Sequence, residues 1–283
     1  IKTVYSMIDE YPYMGKCCYS YNCLKFQTEC NACPLKKDYP ESLFFDRSNE
    51  IFHRKKNIYN GFETIVFTGP GWVCKRAGSS AVMQGRRIET LDEPINYDEM
   101  FYPRDTCRLK QELGIPPENR IILTVTDMKY ERKGGKYFLQ VAEKLACEKD
   151  ISFIFVGYRA SMPAPPNVIA IPFVKSQDLL AEYYSLADLF VCTSLADTMP
   201  NVCLDALGCG TPLCGFAEAG TPFTASAEFG TFTPTYDIDE LAKVIKNTPK
   251  KTAGYSGACV SYARSRYSTE VVFSKLMSIY KSI

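Results

Sequence analysis

No stretch of about 18 apolar residues runs through this 283-residue chain, so it offers no segment able to cross a bilayer as a helix. An excess of either charge is missing too: 33 basic residues meet 32 acidic ones, and a net of +1 gives no footing for a nucleic-acid partner. Histidine is almost absent. The one present, His53, lies in the polar run His53-Arg54-Lys55-Lys56 and reads as a surface residue. There is no internal repeat and no low-complexity tract. The opening residues Ile1-Lys2-Thr3-Val4 lack a charged region followed by an apolar one, so no signal peptide is expected. With no initiator methionine and a strand-like start, they are expected to open a fragment. What is present is ordinary for a globular chain. The length suits two domains of ordinary size or one large one, and 46% hydrophobic residues can fill sizeable cores.

Cysteine is abundant, with 13 residues. Cys74, Cys107, Cys147, Cys192, Cys203, Cys209, Cys214 and Cys259 are scattered, several within apolar strand or helix patterns. A free thiol there acts as a small hydrophobe, which suits a reducing cytosol. The other five cluster as Cys17, Cys18, Cys23, Cys30 and Cys33, with Pro34 following. The Cys30-x2-Cys33 pair has zinc-ligand spacing. Three states stay open for this cluster: a structural zinc on Cys17, Cys23, Cys30 and Cys33, reduced thiols, or disulfides.

From about Cys107 the pattern alternates strand and helix. Ile121–Val125, Ile151–Val156, Val168–Phe173, Leu189–Cys192 and Pro212–Phe216 are short apolar runs. Between them, Tyr137–Cys147, Gln177–Ala187 and Asn201–Cys209 have helical spacing, and three further helices are expected near Asp239–Lys246, Gly254–Tyr267 and Thr269–Tyr280. Near-continuous apolar strands separated by helices imply a parallel sheet covered on both faces. Ligands of such sheets bind outside the C-terminal strand ends. The first hundred residues are less regular, with strands expected at Thr3–Met7 and Thr64–Thr68. A boundary is expected near Tyr102-Pro103, giving domains 1–104 and 105–268 and a C-terminal helix 269–283.

Two loops carry charge in patterns that suit an anionic ligand. In Thr193–Leu207, Asp197 and Asp205 stand eight apart across a helix start, with Thr198 placed to cap and Pro200 suited to the first turn. The helix N-terminus offers free N–H groups to an anion, and an acid one or two turns in can accept from sugar hydroxyls. The plainer alternative is that Asp197 caps and Asp205 lies on a solvated face. The second loop is Asp127-Met128-Lys129-Tyr130-Glu131-Arg132-Lys133-Gly134-Gly135, which follows a strand and opens a helix. Its glycines let backbone approach a phosphate, and Lys133 supplies charge. Asp237-Ile238-Asp239 has a metal-binding look, but it precedes a helical pattern and reads as a cap.

The stretch from Asp197 to Asp205, continuing through Gly208-Cys209-Gly210-Thr211-Pro212, resembles the Glu-x7-Glu region of glycosyltransferase family 4. The resemblance covers nearly the whole chain, with both acids here Asp. It implies an α/β chain of GT-B type, two Rossmann-like domains with the N-terminal one incomplete, and retaining transfer from a nucleotide-diphosphate sugar without a catalytic metal. On this reading Asp197 faces the donor sugar and Asp205 the ribose, supported by Thr198, Met199, Pro200, Asn201 and Leu204. Lys133-Gly134 grips the diphosphate. Met128 stands where the family has Arg, leaving Lys129 or Arg132 to substitute. The base lies near Phe173 and Val174. The loop Glu218–Phe223 resembles the family's Gly-Gly-x-Pro-Glu turn, with Phe223 in place of its acid.

Val4–Cys17 resembles a subgroup whose two histidines are here Ile8 and Lys16. On this reading Lys16 partly replaces a lost positive donor and Asp9 is a candidate acceptor contact. The implied acceptor is a glycan or lipid-linked molecule of cell-surface polysaccharide synthesis, handled in the cytoplasm at the inner membrane face, where the Arg54-Lys55-Lys56 stretch is a candidate peripheral contact. The competing expectation is a catalytically degenerate binding or assembly subunit.

Overall fold

The protein is described by a computed structural model that covers residues 2–42, 44–159 and 163–283. It divides into two compact units. The first comprises Ile1–Glu93, Ala196–Met199 and Val272–Ile283; the second comprises Pro94–Leu195 and Pro200–Val271.

The first unit is built on β1 (Lys2–Ser6), α1 (Ser48–Asn60), β2 (Thr64–Gly69), α2 (Gly71–Gly78) and β3 (Arg87–Thr90). The strands form a parallel sheet in the order β1-β2-β3. β2, rich in β-branched and aromatic residues, is the buried middle strand. Helix α1 was not expected, and its composition explains why. Its inward face is Phe52, Lys55 and Tyr59, so a lysine stands where periodicity looks for an apolar residue. Lys55 Nζ donates to the carbonyls of Tyr11 and Met14, the latter at 2.9 Å, and lies over the Tyr11 ring. The basic run is therefore not one solvated face: His53 is exposed and pairs with Glu29, while Lys55 is buried.

Two further buried ions hold the long loop between β1 and α1. Glu10, 1% exposed, accepts from Arg76 Nε (2.9 Å), from Ser20 N (2.5 Å) and from Ser20 Oγ (2.8 Å). Lys16 donates to the carbonyls of Lys36, Asp38 and Pro40. That corrects the expectation for Lys16: its ammonium fixes a loop and does not stand in for a lost histidine.

The second unit contains α3 (Cys107–Glu112), β4 (Arg120–Val125), α4 (Gly135–Lys144), β5 (Ile151–Val156), β6 (Val168–Ile171), α5 (Gln177–Leu186), β7 (Leu189–Cys192), α6 (Asn201–Gly208), β8 (Leu213–Phe216), β9 (Gly230–Thr233), α7 (Ile238–Asn247) and α8 (Ala253–Tyr267). The six strands are parallel in the order β6-β5-β4-β7-β8-β9. Phe138, Phe153, Phe155, Leu241 and Ile245 form the core beneath α4 and α7. β6 ends two residues before the expected Phe173, where Pro172 has no N–H to continue the ladder. The unit begins at Pro94, earlier than Tyr102-Pro103. Tyr97 donates its hydroxyl to Leu204 O, and Arg264 binds Asp98 and the Tyr97 carbonyl, which ties this segment to α6 and α8. The last helix, α9 (Thr269–Lys281), leaves the second unit, and from Val272 its residues cluster with the first. There Arg87 donates to Ser282 Oγ (2.8 Å).

Replacing Glu10 with alanine leaves the Arg76 guanidinium, 17% exposed, without its carboxylate. A loss of about 3 kcal/mol is expected, read as a lower urea midpoint. The same change at Glu50, whose pair with Arg47 is exposed, is expected to leave the midpoint unmoved.

Candidate active site

In the second unit, strands run from β4 through β5 to β6 on one side and from β7 through β8 to β9 on the other. The order reverses between β4 and β7, and the crevice at the C-terminal ends of those two strands is where an open parallel sheet receives a ligand. The basic loop lies there. Glu131–Lys133 make a 3-10 turn, Gly134 adopts φ +70°, and α4 starts at Gly135. A Cβ at Gly134 would lie 1.8 Å from Thr193 O, so position 134 excludes side chains by both conformation and space. The contact is reinforced by Thr193 Oγ1 donating to Gly134 O (2.9 Å) and by Leu195 N donating to Arg132 O (2.7 Å). Arg132 and Lys133 are thus fixed, through their backbone, on the end of β7 and ahead of the α4 N-terminus, a place that favours negative charge.

Beside this loop is a pair the sequence reading did not identify. Arg159, after β5, binds both oxygens of Asp127, after β4, with Nε at 2.9 Å from Oδ1. Hydrogen bonding from Arg159 holds the Asp127 carboxyl below its ordinary pKa. The only sequence signal was Gly157 closing β5. It has φ +90°, and a Cβ there would lie 2.3 Å from Thr126 O, which brings the two strand-end loops together.

The predicted donor residues fall in both units. Asp197, Thr198 and Met199 are buried and cluster with the first unit. Thr198 does not cap α6; its hydroxyl donates to Ile8 O (2.9 Å). Pro200 is itself the N-cap residue, without a side-chain cap, and Asn201 begins the helix. In the second unit, Leu204 is wholly buried in the core. Asp205 is buried as well, and desolvation pushes its carboxyl up to about 8. It does not lie on a solvated face. Phe173 is exposed and Val174 half-buried in the loop after β6, the edge strand. Asp237 caps α7 by accepting from Glu240 N (2.9 Å), and Asp239 pairs with Lys144.

The four cysteines proposed as zinc ligands, Cys17, Cys23, Cys30 and Cys33, line one cavity of about 20 Å³. Among the described residues, no three His, Cys, Asp or Glu side chains form a group able to hold a metal, and all four thiols are free. Cys17 interacts with Cys33 and Cys30, and Cys30 with Cys23 and Cys33, so the fold brings the four thiols together. Burial raises the Cys17 and Cys30 thiols to about 12 and about 11, so they stay protonated.

A parallel sheet with a glycine-closed, basic strand-end loop at its switch point is an α/β architecture of the GT-B type. Residues 119–248 match the family model "Glycosyl transferases group 1". Among curated relatives, the alpha-galactosylglucosyldiacylglycerol synthase of Streptococcus pneumoniae is 26% identical over 173 residues, covering 56% of this chain and 44% of that protein. The putative colanic acid biosynthesis glycosyl transferase WcaC of Escherichia coli is 19% identical, covering 100% of this chain and 69% of its own length. The first of these relatives is thus matched over less than half its length. In fold, the chain is similar to the sucrose-phosphate synthase of Thermosynechococcus elongatus (TM-score 0.67, 18% identity, 84% of this chain and 62% of that one). It is also similar to Anabaena HepE in complex with UDP-glucose (TM-score 0.65, 16% identity, 83% and 68%). Among the described residues, no helix is long and apolar enough to cross a membrane.

The raised pKa of Asp205 has a measurable consequence. An unfolded aspartate ionises near ~4, so folding retains a proton between about 4 and about 8, and stability falls as pH rises through that window. Asp205→Asn is expected to flatten this decline, making the variant relatively more stable at pH 8 by a few kcal/mol. Thermal melts of both proteins from pH 5 to 9 check it, and parallel curves would show an ionised Asp205.

Proposed function

We propose that this chain transfers a sugar from a nucleotide-diphosphate donor to a glycan or lipid-linked acceptor, with retention at the anomeric carbon. The observation that carries the reading is the Arg132-Lys133-Gly134 turn locked to the end of β7 at the switch point. In transfer, the anomeric carbon–oxygen bond to the diphosphate breaks, and negative charge grows on the leaving group. Arg132, Lys133 and the α4 N-terminus meet that charge as fixed donors, where such preorganised stabilisation is most effective. The acceptor hydroxyl bonds to the anomeric carbon on the same face and gives its proton to the departing phosphate. Asp197 orients the donor sugar, and Asp205 hydrogen-bonds the ribose as a neutral carboxyl. Thr198, Met199, Pro200, Asn201 and Leu204 shape that turn and helix, and Phe173 and Val174 contact the base.

UDP is the first donor nucleotide to test, because HepE, similar in fold, is described with UDP-glucose. Work at the inner face of a membrane, in cell-surface polysaccharide or glycolipid synthesis, fits the Streptococcus and Escherichia relatives by their names. Of the candidate peripheral stretch Arg54-Lys55-Lys56, Arg54 is exposed and Lys55 is buried. A second reading, a binding subunit that does not turn over, is favoured by one feature: the Lys16 ammonium is held by three loop carbonyls and replaces no lost donor.

Calorimetry with UDP, GDP and ADP tests the donor site. One nucleotide is expected to bind, and Lys133→Ala to weaken it at least tenfold, about 1.4 kcal/mol. At 100 times its dissociation constant that nucleotide should add about 2.7 kcal/mol of stability. With the matching UDP-sugar and an acceptor, proton NMR of the product is expected to show the donor's anomeric configuration. An inverted product removes the retaining mechanism, and binding without turnover favours the second reading.

A further inference from the structure

The loop between β1 and α1 folds four of its five cysteines onto one small hole. Cys17, Cys23, Cys30 and Cys33 line a cavity of about 20 Å³ in the first unit. That is room for one atom-sized occupant, since a single water needs roughly 10–15 Å³. Cys17 and Cys33 share a thiol–thiol hydrogen bond, and Cys30 interacts with Cys23 and Cys33. The fifth cysteine, Cys18, is engaged elsewhere, hydrogen-bonded to Asp9.

The backbone around the hole is braced. Cys30–Cys33 make a tight turn, with Ala32 at φ +41°. Lys25 Nζ donates to Asn31 O (2.8 Å) and Ala32 O (2.9 Å), Asn49 Nδ2 to Cys30 O (3.2 Å), and Cys33 N to Asp46 Oδ2 (2.6 Å). Gly15 lets the chain pass close by: a Cβ there would lie 2.7 Å from Cys30 Cβ and 2.6 Å from Ser48 O. Its N–H donates to Cys30 Sγ (3.3 Å).

Four neutral thiols leave two features of the hole unexplained. Ser48, 1% exposed, lines it, and its hydroxyl has no hydrogen-bond partner. Lys16 and Lys25 also line it, each with its ammonium on neutral carbonyls, and among the described residues lining the hole there is no carboxylate. Ammonium charge without a counter-charge and a buried donor without an acceptor both call for negative charge in the hole.

We infer that the hole is a structural zinc site, with Cys17, Cys23, Cys30 and Cys33 as its four thiolate ligands. An all-sulfur set containing the Cys30-x2-Cys33 pair selects zinc among the common metals. Binding exchanges one Zn²⁺ for four protons: the neutral thiols become a doubly negative tetrathiolate complex, and the protons leave to solvent. That charge is the counter-ion for Lys16 and Lys25. Its sulfurs accept from Gly15 N and Ser48 Oγ, outer hydrogen bonds of the kind that orient metal ligands. As free thiols the four do not stand as a ligand set, so loading turns them about their Cα–Cβ bonds within the braced backbone. The metal thereby closes a loop that has little regular structure of its own.

The metal content of the purified full chain tests the site, with X-ray absorption at the zinc edge. One zinc per chain is expected, bound by four sulfurs at about 2.3 Å. Cys30→Ser and Cys33→Ser are each expected to lose stoichiometric zinc, and Cys18→Ser to keep it. Ser48→Ala is expected to weaken zinc about tenfold in competition with a chromophoric chelator. Since ligand variants can fail to fold, the unmutated chain carries the decisive reading. Stripped by a chelator in reductant, it is expected to take up one zinc, release protons and melt at a higher temperature. A folded chain that takes up no zinc while its thiols titrate as free overturns the site. So does a chain isolated with these cysteines in disulfides, or zinc retained when Cys30 and Cys33 are both replaced by serine.

Discussion

The α-carbon of Gly134 and the carbonyl of Thr193 approach so closely that no side chain fits between them, and much of the second unit's functional face depends on that contact. It joins the loop leaving β4 to the end of β7 at the one place in the sheet where strand order reverses. With the glycine in place, Leu195 and Thr193 hydrogen-bond the loop backbone, and Arg132 and Lys133 acquire a fixed position ahead of α4. Side chains with many rotamers become useful as anion ligands when their backbone is held this way, because less ordering remains to be done on binding.

The first unit achieves rigidity differently. Its long loop between β1 and α1 has little regular structure, so buried ions replace a backbone ladder. Glu10 with Arg76, Lys16 with three carbonyls, and Lys55 with two each convert a charge into several directional bonds. Such groups contribute modest net stability, since desolvation offsets most of the attraction, but they specify one loop conformation. Here that conformation places Tyr11, Tyr39 and Asp9 around one cavity of the first unit.

The departures from the family pattern have physical counterparts. Asp205, one methylene shorter than Glu, sits in a buried environment that keeps it neutral, which suits hydrogen bonding better than charge pairing. Where the family's arginine is Met128, the adjacent strand-end loop carries Arg159 against Asp127.

Sequence alone determined the parallel α/β layout after Cys107, because period and run length of apolar residues report directly on strands buried on both faces. β5 and β7 were legible to the residue, and the Lys133-Gly134 loop was visible from its glycines. The family resemblance, carried by the spacing of Asp197 and Asp205, supplied their candidate roles. The tertiary structure decided what depends on distant partners. Helix α1 hid behind a buried lysine whose carbonyl ligands lie over 40 residues away. Thr198 looked like a cap but bonds Ile8. Lys16 looked like a surrogate donor but closes a loop. A polar side chain's role is set by which groups the fold brings within about 3 Å, and a local pattern carries no record of that distance.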